Sequence, residues 1–199
     1  LEETIVHIPN KSFIFEVPGS ELAAGYAPGT FEGNEHTISA REVDDDEIYA
    51  YRNIALNPHD KHGEDRFFPH ASANFVTRGD PCFYERNAID GNTENKGHGA
   101  FPYNSWAGGA RDDLEYRIDF GQDVEIDKFI VYLRADFPHD TYWKSIDFEF
   151  SDGTTVTGNF EETADGQEVK LPEKKITDYV LLKNLTQVSF PLSWAALSQ

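Results

Sequence analysis

The chain has 199 residues, of which 36 are acidic and 17 are Lys or Arg, so its formal net charge is −19. Such a field repels nucleic acid and anionic lipid, which makes both poor partners, and it favours neutral ligands or cations. Aromatic residues make up 14% of the chain, a share that argues against disorder.

No apolar run approaches the length of a membrane span, so we expect no membrane insertion. The chain opens without a basic-then-apolar signal, which suits a processed mature form. Cys82 is the single cysteine, so an internal disulfide is excluded and we expect a small buried residue there. We expect the protein to be a monomer or part of a larger multidomain protein.

Local patterns near the N-terminus predict a hairpin and one short helix. Residues 4–17 alternate apolar and polar side chains around a Pro-Asn-Lys turn, which is typical of a hairpin. Residues 37–43 predict a short strand. Asp44 and Glu47 resemble a capping box, which predicts a helix that continues as far as Ala55.

From about residue 71 onward the pattern is that of β-structure. Turn signals separate candidate strands at 73–76, 114–120, 128–134, 145–150, 154–160, 167–170 and 179–185. Side chains alternate across a strand, so Ile146, Phe148 and Phe150 are expected on one buried face. Short strands at this spacing predict an all-β fold, an antiparallel β-sandwich.

Six short elements stand in a fixed order along the last two thirds of the chain. They are "ASAN" (71–74), "NAIDGN" (87–92), the Trp of "SW" (105–106), "LEYRIDFGQDVEIDKFIVYLRAD" (114–136), "FEFSDGT" (148–154) and "AALSQ" (195–199). This order resembles the galactose-binding-like β-sandwich, the jelly roll of discoidin (coagulation-factor type C) domains and many carbohydrate-binding modules. The resemblance implies a sandwich domain over 67–199, with 1–66 as an accessory extension packed on it.

In that family the Asp-Gly-Asn turn carries a structural calcium ion. The resemblance implies six ligand residues, namely Asn87, Asp90, Asn92, Asn95, Ser198 and Gln199. The family usually has a hydroxyl residue where Asn95 stands and a glutamate where Gln199 stands. Only Asp90 then brings negative charge to a hard cation, so we expect weak affinity. The alternative is that Asp90 caps a tight turn through its own loop amides.

A long insertion, residues 93–104, follows that turn. We expect its Phe101-Pro102-Tyr103 segment to plug the loop against the sandwich rather than contact a ligand. Trp106 and Trp194 are expected in the core.

The segment "LRADFPHDTYW" (133–143) concentrates the groups that recognise sugars. An aromatic face, fork-shaped donors and carboxylates are the usual partners of sugar rings and paired hydroxyls. The candidate carbohydrate-binding residues are Arg134, Asp136, His139, Asp140, Tyr142, Trp143 and, from a neighbouring loop, Arg111. The alternatives are an internal ion pair of Arg134 with Asp136 or Asp140, and a solvent-facing loop position for His139.

These observations predict a non-catalytic carbohydrate-binding module for a neutral glycan, stabilised by calcium and located outside the cell or at its surface. One alternative is a protein-interaction module of the discoidin type. Another is an enzyme, either a hydrolase that uses Asp136 and Asp140 or a lyase that uses Arg134, His139 and Tyr142. Hydrolysis needs two carboxylates around one pocket, one of them with a raised pKa, and a chain with 36 acids offers such pairs by chance.

Overall fold

A computed structural model of the protein describes residues 3–12, 14–136 and 141–188, and its regular structure is almost entirely β. The α-helix and strands are α1 (Asp45–Ile48), β1 (His70–Ala73), β2 (Tyr116–Val131), β3 (Trp143–Phe150), β4 (Thr155–Asn159) and β5 (Gln167–Gln187). All strand pairs are antiparallel, in the order β1-β2-β5-β3-β4. The predicted all-β antiparallel fold is confirmed.

The two longest strands bend and so create the two layers of a sandwich. The register between β2 and β5 shifts between Asp119 and Val124 and again between Ile126 and Lys128, and such bulges bend a strand. Beyond the bend, the ring of Phe129 on β2 stacks on that of Phe148 on β3, with centroids 4.4 Å apart. The far halves of β2 and β5 therefore face β3 and β4 across the core.

The continuity of β2 and β5 corrects the prediction that each consists of two strands. The "FGQDVEID" segment that predicted a turn lies inside β2. Gly121 occupies it with φ at +68°, and a side chain there would collide with the ring of Phe68. A glycine is therefore required for the irregular backbone and the close contact, while the strand continues through both.

The core forms where the alternation in β3 predicts it. Ile146, Phe148 and Phe150 are all buried, and Val180 of β5 and Leu114 pack with them. Trp106 contributes from the loop before β2, with its indole nitrogen donating to the carbonyl of Phe75 at 3.1 Å. The expected core role of Trp106 is confirmed, whereas Trp194 lies outside the described residues.

The predicted N-terminal hairpin is wrong over the described part of 4–17. Its turn forms, with the amide of Lys11 donating to the carbonyl of Ile8 at 3.1 Å. The arms do not pair with each other. Instead His7 exchanges two backbone hydrogen bonds with Phe68, just before β1. The extended segment finds its partner on the sandwich, a tertiary choice that alternation alone does not specify.

The predicted helix begins correctly but ends early. Asp44 and Glu47 form the expected capping box, and α1 then ends at Ile48 instead of reaching Ala55. Ile48 and Tyr49 are exposed, so no buried apolar face supports a longer helix. The strand predicted at 37–43 is absent as well. Among the described residues, no helix is both long enough and apolar enough to cross a membrane.

Candidate functional site

The best-formed polar cluster stands on the segment that follows β2. Along residues 132–136 the exposure of the side chains alternates, so that Leu133 and Ala135 are buried while Tyr132, Arg134 and Asp136 face outward. The Nε and Nη2 atoms of Arg134 donate to the two carboxylate oxygens of Asp136. This is the internal ion pair that the sequence left as an alternative.

His98 joins this pair from the insertion. Its Nδ1 lies 2.7 Å from Oδ2 of Asp136, and about half of the imidazole is exposed. Burial tends to raise the pKa of Asp136, but hydrogen bonds from Arg134 and His98 hold that pKa below its ordinary value. The carboxylate is therefore ionised at neutral pH. Sequence analysis missed His98, because no local pattern links it to a residue 38 positions away.

Asn95 holds the insertion against the same segment. Its side-chain nitrogen donates to the carbonyls of Leu133 (2.8 Å) and Ala164 (2.9 Å), and its own carbonyl accepts from the amide of Ala135 at 2.7 Å. Three loops therefore meet here, at about residues 95–98, 133–136 and 164. We call this junction the three-loop rim.

Two predicted aromatic site residues lie beside the core rather than on the three-loop rim. Tyr142 and Trp143 are half-buried and pack against the main hydrophobic cluster at the start of β3. The exposed ring beside Arg134 along the chain belongs to Tyr132, and a second exposed ring, that of Tyr103, packs against Gly97 on the insertion; sequence analysis missed both as candidates. For Tyr132 a signal existed, since it stands two positions before Arg134 on the same face of an extended segment.

Of the other predicted site residues, Arg111 lies away from the three-loop rim, and the rest are outside the residues that the structure describes. Arg111 makes a fork with Asp113, at 2.8 and 2.6 Å, and lies over the ring of Phe75. No contact joins it to Arg134 among the described residues. His139 and Asp140 lie outside the described residues, as do Ser198 and Gln199 of the predicted calcium site.

The Asp90 turn has the self-capped geometry that the sequence left open. One carboxylate oxygen accepts from the backbone amide of Asn92 at 2.8 Å, and the other accepts from the side chain of Asn104 at 2.8 Å. The guanidinium of Arg86 lies 4.0 Å away. Burial raises the pKa of Asp90 above its ordinary value and outweighs the lowering by these hydrogen bonds and by the charge of Arg86.

Asn104 stands where the sequence comparison placed Asn95. Its side chain is buried and bonds both Asp90 and Asn92, whereas Asn95 bonds the three-loop rim. The insertion delays this residue by nine positions, so counting forward from the turn finds the wrong asparagine.

Asn87, Asp90 and Asn92 lie along one tight turn, and Asn104 closes it. Both carboxylate oxygens of Asp90 are engaged by N–H donors, so a hard cation at this turn would have to displace them. Among the described residues, no three His, Cys, Asp or Glu side chains group together as ligands. Calcium at this turn would therefore depend on carbonyl and amide oxygens, with Asp90 as the one charged ligand.

Two further sequence expectations concern burial. Phe101 and Tyr103 are 36% and 37% exposed, so each ring is largely covered while part of it stays open to solvent, and the predicted plug against the sandwich stays a prediction. The amide of Phe101 donates to the carbonyl of Ala24, which fixes the insertion to the N-terminal residues. Cys82 is buried as expected, and burial together with Asp80 raises the pKa of its thiol to about 11.

Comparison with known proteins gives likeness at the level of fold. No protein-family model and no curated protein sequence matches the chain. Among solved structures, it is similar to a chitosan-binding module from a chitosanase/glucanase of Paenibacillus sp. IK-5, at 15% identity and a TM-score of 0.47, covering 70% of this chain and 90% of that one. It is also similar to the module CpGH89CBM32-5 from Clostridium perfringens, solved with GalNAc-β-1,3-galactose, at 17% identity and a TM-score of 0.46, covering 60% and 85%.

A third similar structure is the family 32 carbohydrate-binding module of C. perfringens NanJ, solved with galactose, at 13% identity and a TM-score of 0.43, covering 60% of this chain and 83% of that one. These structures are all carbohydrate-binding modules, the class that the order of sequence elements resembles. With identities and TM-scores this low, the ligand must be inferred from the residues of this chain.

Proposed function

We propose that the protein is a non-catalytic carbohydrate-binding module that recognises a neutral glycan at the three-loop rim. The observation that carries this proposal is the outward-facing cluster of Arg134, Asp136 and His98 beside an exposed tyrosine. Fork donors, a carboxylate and an aromatic face are the groups that bind paired hydroxyls and the C–H face of a sugar.

The Arg134–Asp136 ion pair is compatible with ligand binding because it engages only part of the guanidinium. Nε and Nη2 donate to Asp136, and the described residues leave Nη1 without an acceptor. Asp136 thereby fixes the side chain in one orientation, with the N–H groups of Nη1 available to sugar hydroxyls. Such preorganisation reduces the conformational entropy that binding would otherwise cost.

The negative net charge of the chain favours neutral over anionic saccharides as ligands. The net charge of −19 disfavours polyanionic chains such as polyuronates, and the positive charge of Arg134 is already balanced by Asp136. A neutral glycan makes no unfavourable contact with this field. Such a ligand is consistent with a protein that works outside the cell or at its surface.

The chemistry of the three-loop rim favours binding over hydrolysis. A glycosidase needs one carboxylic acid that keeps its proton near neutral pH, through a raised pKa. The pKa of Asp136 is lowered instead, so this residue cannot serve as the general acid. Asp136 acts in our proposal as an acceptor and as the support of Arg134.

We further propose that calcium binds weakly at the Asp90 turn and stabilises the loops beside it. The support is the Asp-Gly-Asn sequence of the turn, which resembles the calcium turn of the family, and the half-buried carboxylate of Asp90 within it. Because Asp90 is the single carboxylate of this turn, affinity is expected at the weak end of the range for protein calcium sites.

A glycan array tests the binding proposal directly. We expect retention of neutral glycans by the native chain and its loss in Arg134→Ala. Arg117→Ala is the matched control, because Arg117 makes the same kind of fork with Asp119 at similar exposure on β2. Binding that survives Arg134→Ala, or that Arg117→Ala abolishes equally, would show that the three-loop rim is not the site.

A further inference from the structure

The insertion runs beside the outward-facing segment as a second wall of the three-loop rim. The side chain of Asn95 donates to the carbonyl of Leu133, and its backbone carbonyl accepts from the amide of Ala135. Farther along the insertion, the imidazole of His98 contacts the carboxylate of Asp136. Contacts at both positions fix the course of the insertion relative to Arg134. The polar cluster is therefore bounded on two sides by chain that the structure holds in place.

Each wall carries an exposed tyrosine ring supported from below by a glycine. On the first wall, Tyr132 is 46% exposed, and a Cβ added to Gly166 would lie 2.6 Å from its Cζ. On the insertion, Tyr103 is 37% exposed, and a Cβ added to Gly97 would lie 2.9 Å from its Cδ2. A side chain at either glycine would displace the ring, so both rings rest directly on backbone and leave surface open to solvent.

The two rings stand next to different members of the polar cluster. Tyr132 precedes Arg134 on the same outward face, and the glycine beneath Tyr103 directly precedes His98. Tyr132 therefore stands beside Arg134, and Tyr103 stands on the insertion, against the residue that precedes His98. A monosaccharide that stacks on one of these rings leaves the other uncovered, whereas a longer saccharide contacts both.

We propose that the three-loop rim is an extended site for a neutral oligosaccharide of at least two units, with Tyr132 and Tyr103 as its two stacking surfaces and His98 as a further hydrogen-bonding residue. This inference rests on the proposed function and adds chain-length selectivity to it. The insertion 93–104 is then the element that sets that selectivity.

Titration calorimetry with matched saccharide series tests the inference. The probes are the mono-, di- and trisaccharides of the β-1,4-linked glucose, galactose and N-acetylglucosamine series. We expect the disaccharide of the bound series to have a Kd about three- to tenfold lower than that of its monosaccharide, since it contacts a second aromatic ring. Tyr103→Ala and Tyr132→Ala should each weaken disaccharide binding about three- to tenfold.

Conservative and remote variants separate stacking from folding. Tyr103→Phe and Tyr132→Phe keep the ring and should retain most of the affinity, while Tyr49→Ala, at a tyrosine that is 84% exposed, should leave it unchanged. His98→Ala should weaken binding of every length, because His98 contacts the polar cluster rather than a flanking unit.

The outcomes distinguish this inference from the proposed function. Equal affinity for mono- and disaccharide, or tyrosine variants that behave like Tyr49→Ala, overturns the extended site even if Arg134→Ala still abolishes binding. If the native chain retains no neutral glycan on the array, the proposed function fails and the extended site fails with it.

Discussion

Arg86 provides the sharpest test of how the N-terminal residues are held on the sandwich. Its side chain is 3% exposed. The guanidinium nitrogens donate to the backbone carbonyls of Gly25 (3.2 Å), Pro58 (3.2 Å) and Asp60 (2.8 Å). It also covers the ring of Tyr26, with 4.4 Å between the guanidinium carbon and the ring centroid. One buried cation thus links two separate segments of the first 60 residues, at 25–26 and 58–60, to the turn that precedes Asp90.

Replacing Arg86 by Met keeps much of the apolar stem and removes every donor. Three buried carbonyls then lose their partner, and the buried carboxylates of Asp60 and Asp90 lose a neighbouring positive charge. Breaking a buried charge network in this way costs about 3–5 kcal/mol. For a domain of this size, each kcal/mol corresponds to a fall in Tm of about 2–4 °C.

Urea unfolding followed by tryptophan fluorescence measures this loss. Arg117→Met is the control, because its fork with Asp119 is partly exposed and such pairs contribute about 0–1 kcal/mol. A free energy of unfolding for Arg86→Met as high as that of Arg117→Met would refute the view that Arg86 is the central tie of this junction.

Three further predictions concern pH, calcium and the thiol. Burial lowers the pKa of His70, but the hydrogen bond and charge of Asp60, 2.8 Å away, outweigh it and raise that pKa above 6.5. The stability that protonated His70 contributes is thus fully present below pH 6.5 and is lost as the pH rises through the raised pKa. Tm should therefore fall as the pH rises through this range, and it should fall less steeply in His70→Asn. A Tm that rises over the same range would contradict a raised pKa for His70. Added calcium should raise Tm and a chelator should lower it, because an ion that binds only the folded state stabilises that state by mass action. The Tm of Asp90→Ala should respond to neither. Identical melting curves of the native chain with and without calcium would rule out the ion at this turn. Native Cys82, buried and with a pKa of about 11, should react with iodoacetamide at pH 8 only as fast as the chain opens, and rapid labelling would disprove this.

Features that depend on neighbours in sequence were predictable from the sequence. The buried face of Ile146, Phe148 and Phe150 follows from the period of a strand, and the capping box of Asp44 and Glu47 follows from a four-residue pattern. The length of α1 and the pairing of His7 with Phe68 were not predictable from the sequence, because both depend on which distant residues pack against these segments in the fold.

The candidate site shows the same division. Arg134 and Asp136 are adjacent on one face of an extended segment, so the sequence alone brings them together. His98 and Asn104 reach their partners across a long insertion, and the course of that loop decides which of its residues meets the turn and which meets the rim. Spacing along the chain therefore did not show that the side chain of Asn104, rather than that of Asn95, contacts the Asp90 turn, and it gave no signal for His98.

The Arg-x-Asp fork is not by itself evidence of a binding site. Among the described residues, Arg111 with Asp113 and Arg117 with Asp119 make bidentate forks of the same kind as Arg134 with Asp136. Residues i and i+2 share a face of any extended segment, so an arginine two positions before an aspartate readily forms such a fork where the chain is extended.

The fork of Arg134 differs from the other two in the residues that surround it. The carboxylate of Asp136 also contacts His98 from the insertion, and an exposed tyrosine stands on the same face as Arg134. A functional role for this fork therefore predicts that it alone, of the three forks, responds to saccharide. If Arg111→Ala and Arg134→Ala reduced glycan retention equally, the forks would be better explained as neutralisation of an acidic surface, and the third contact to Asp136 as loop anchoring.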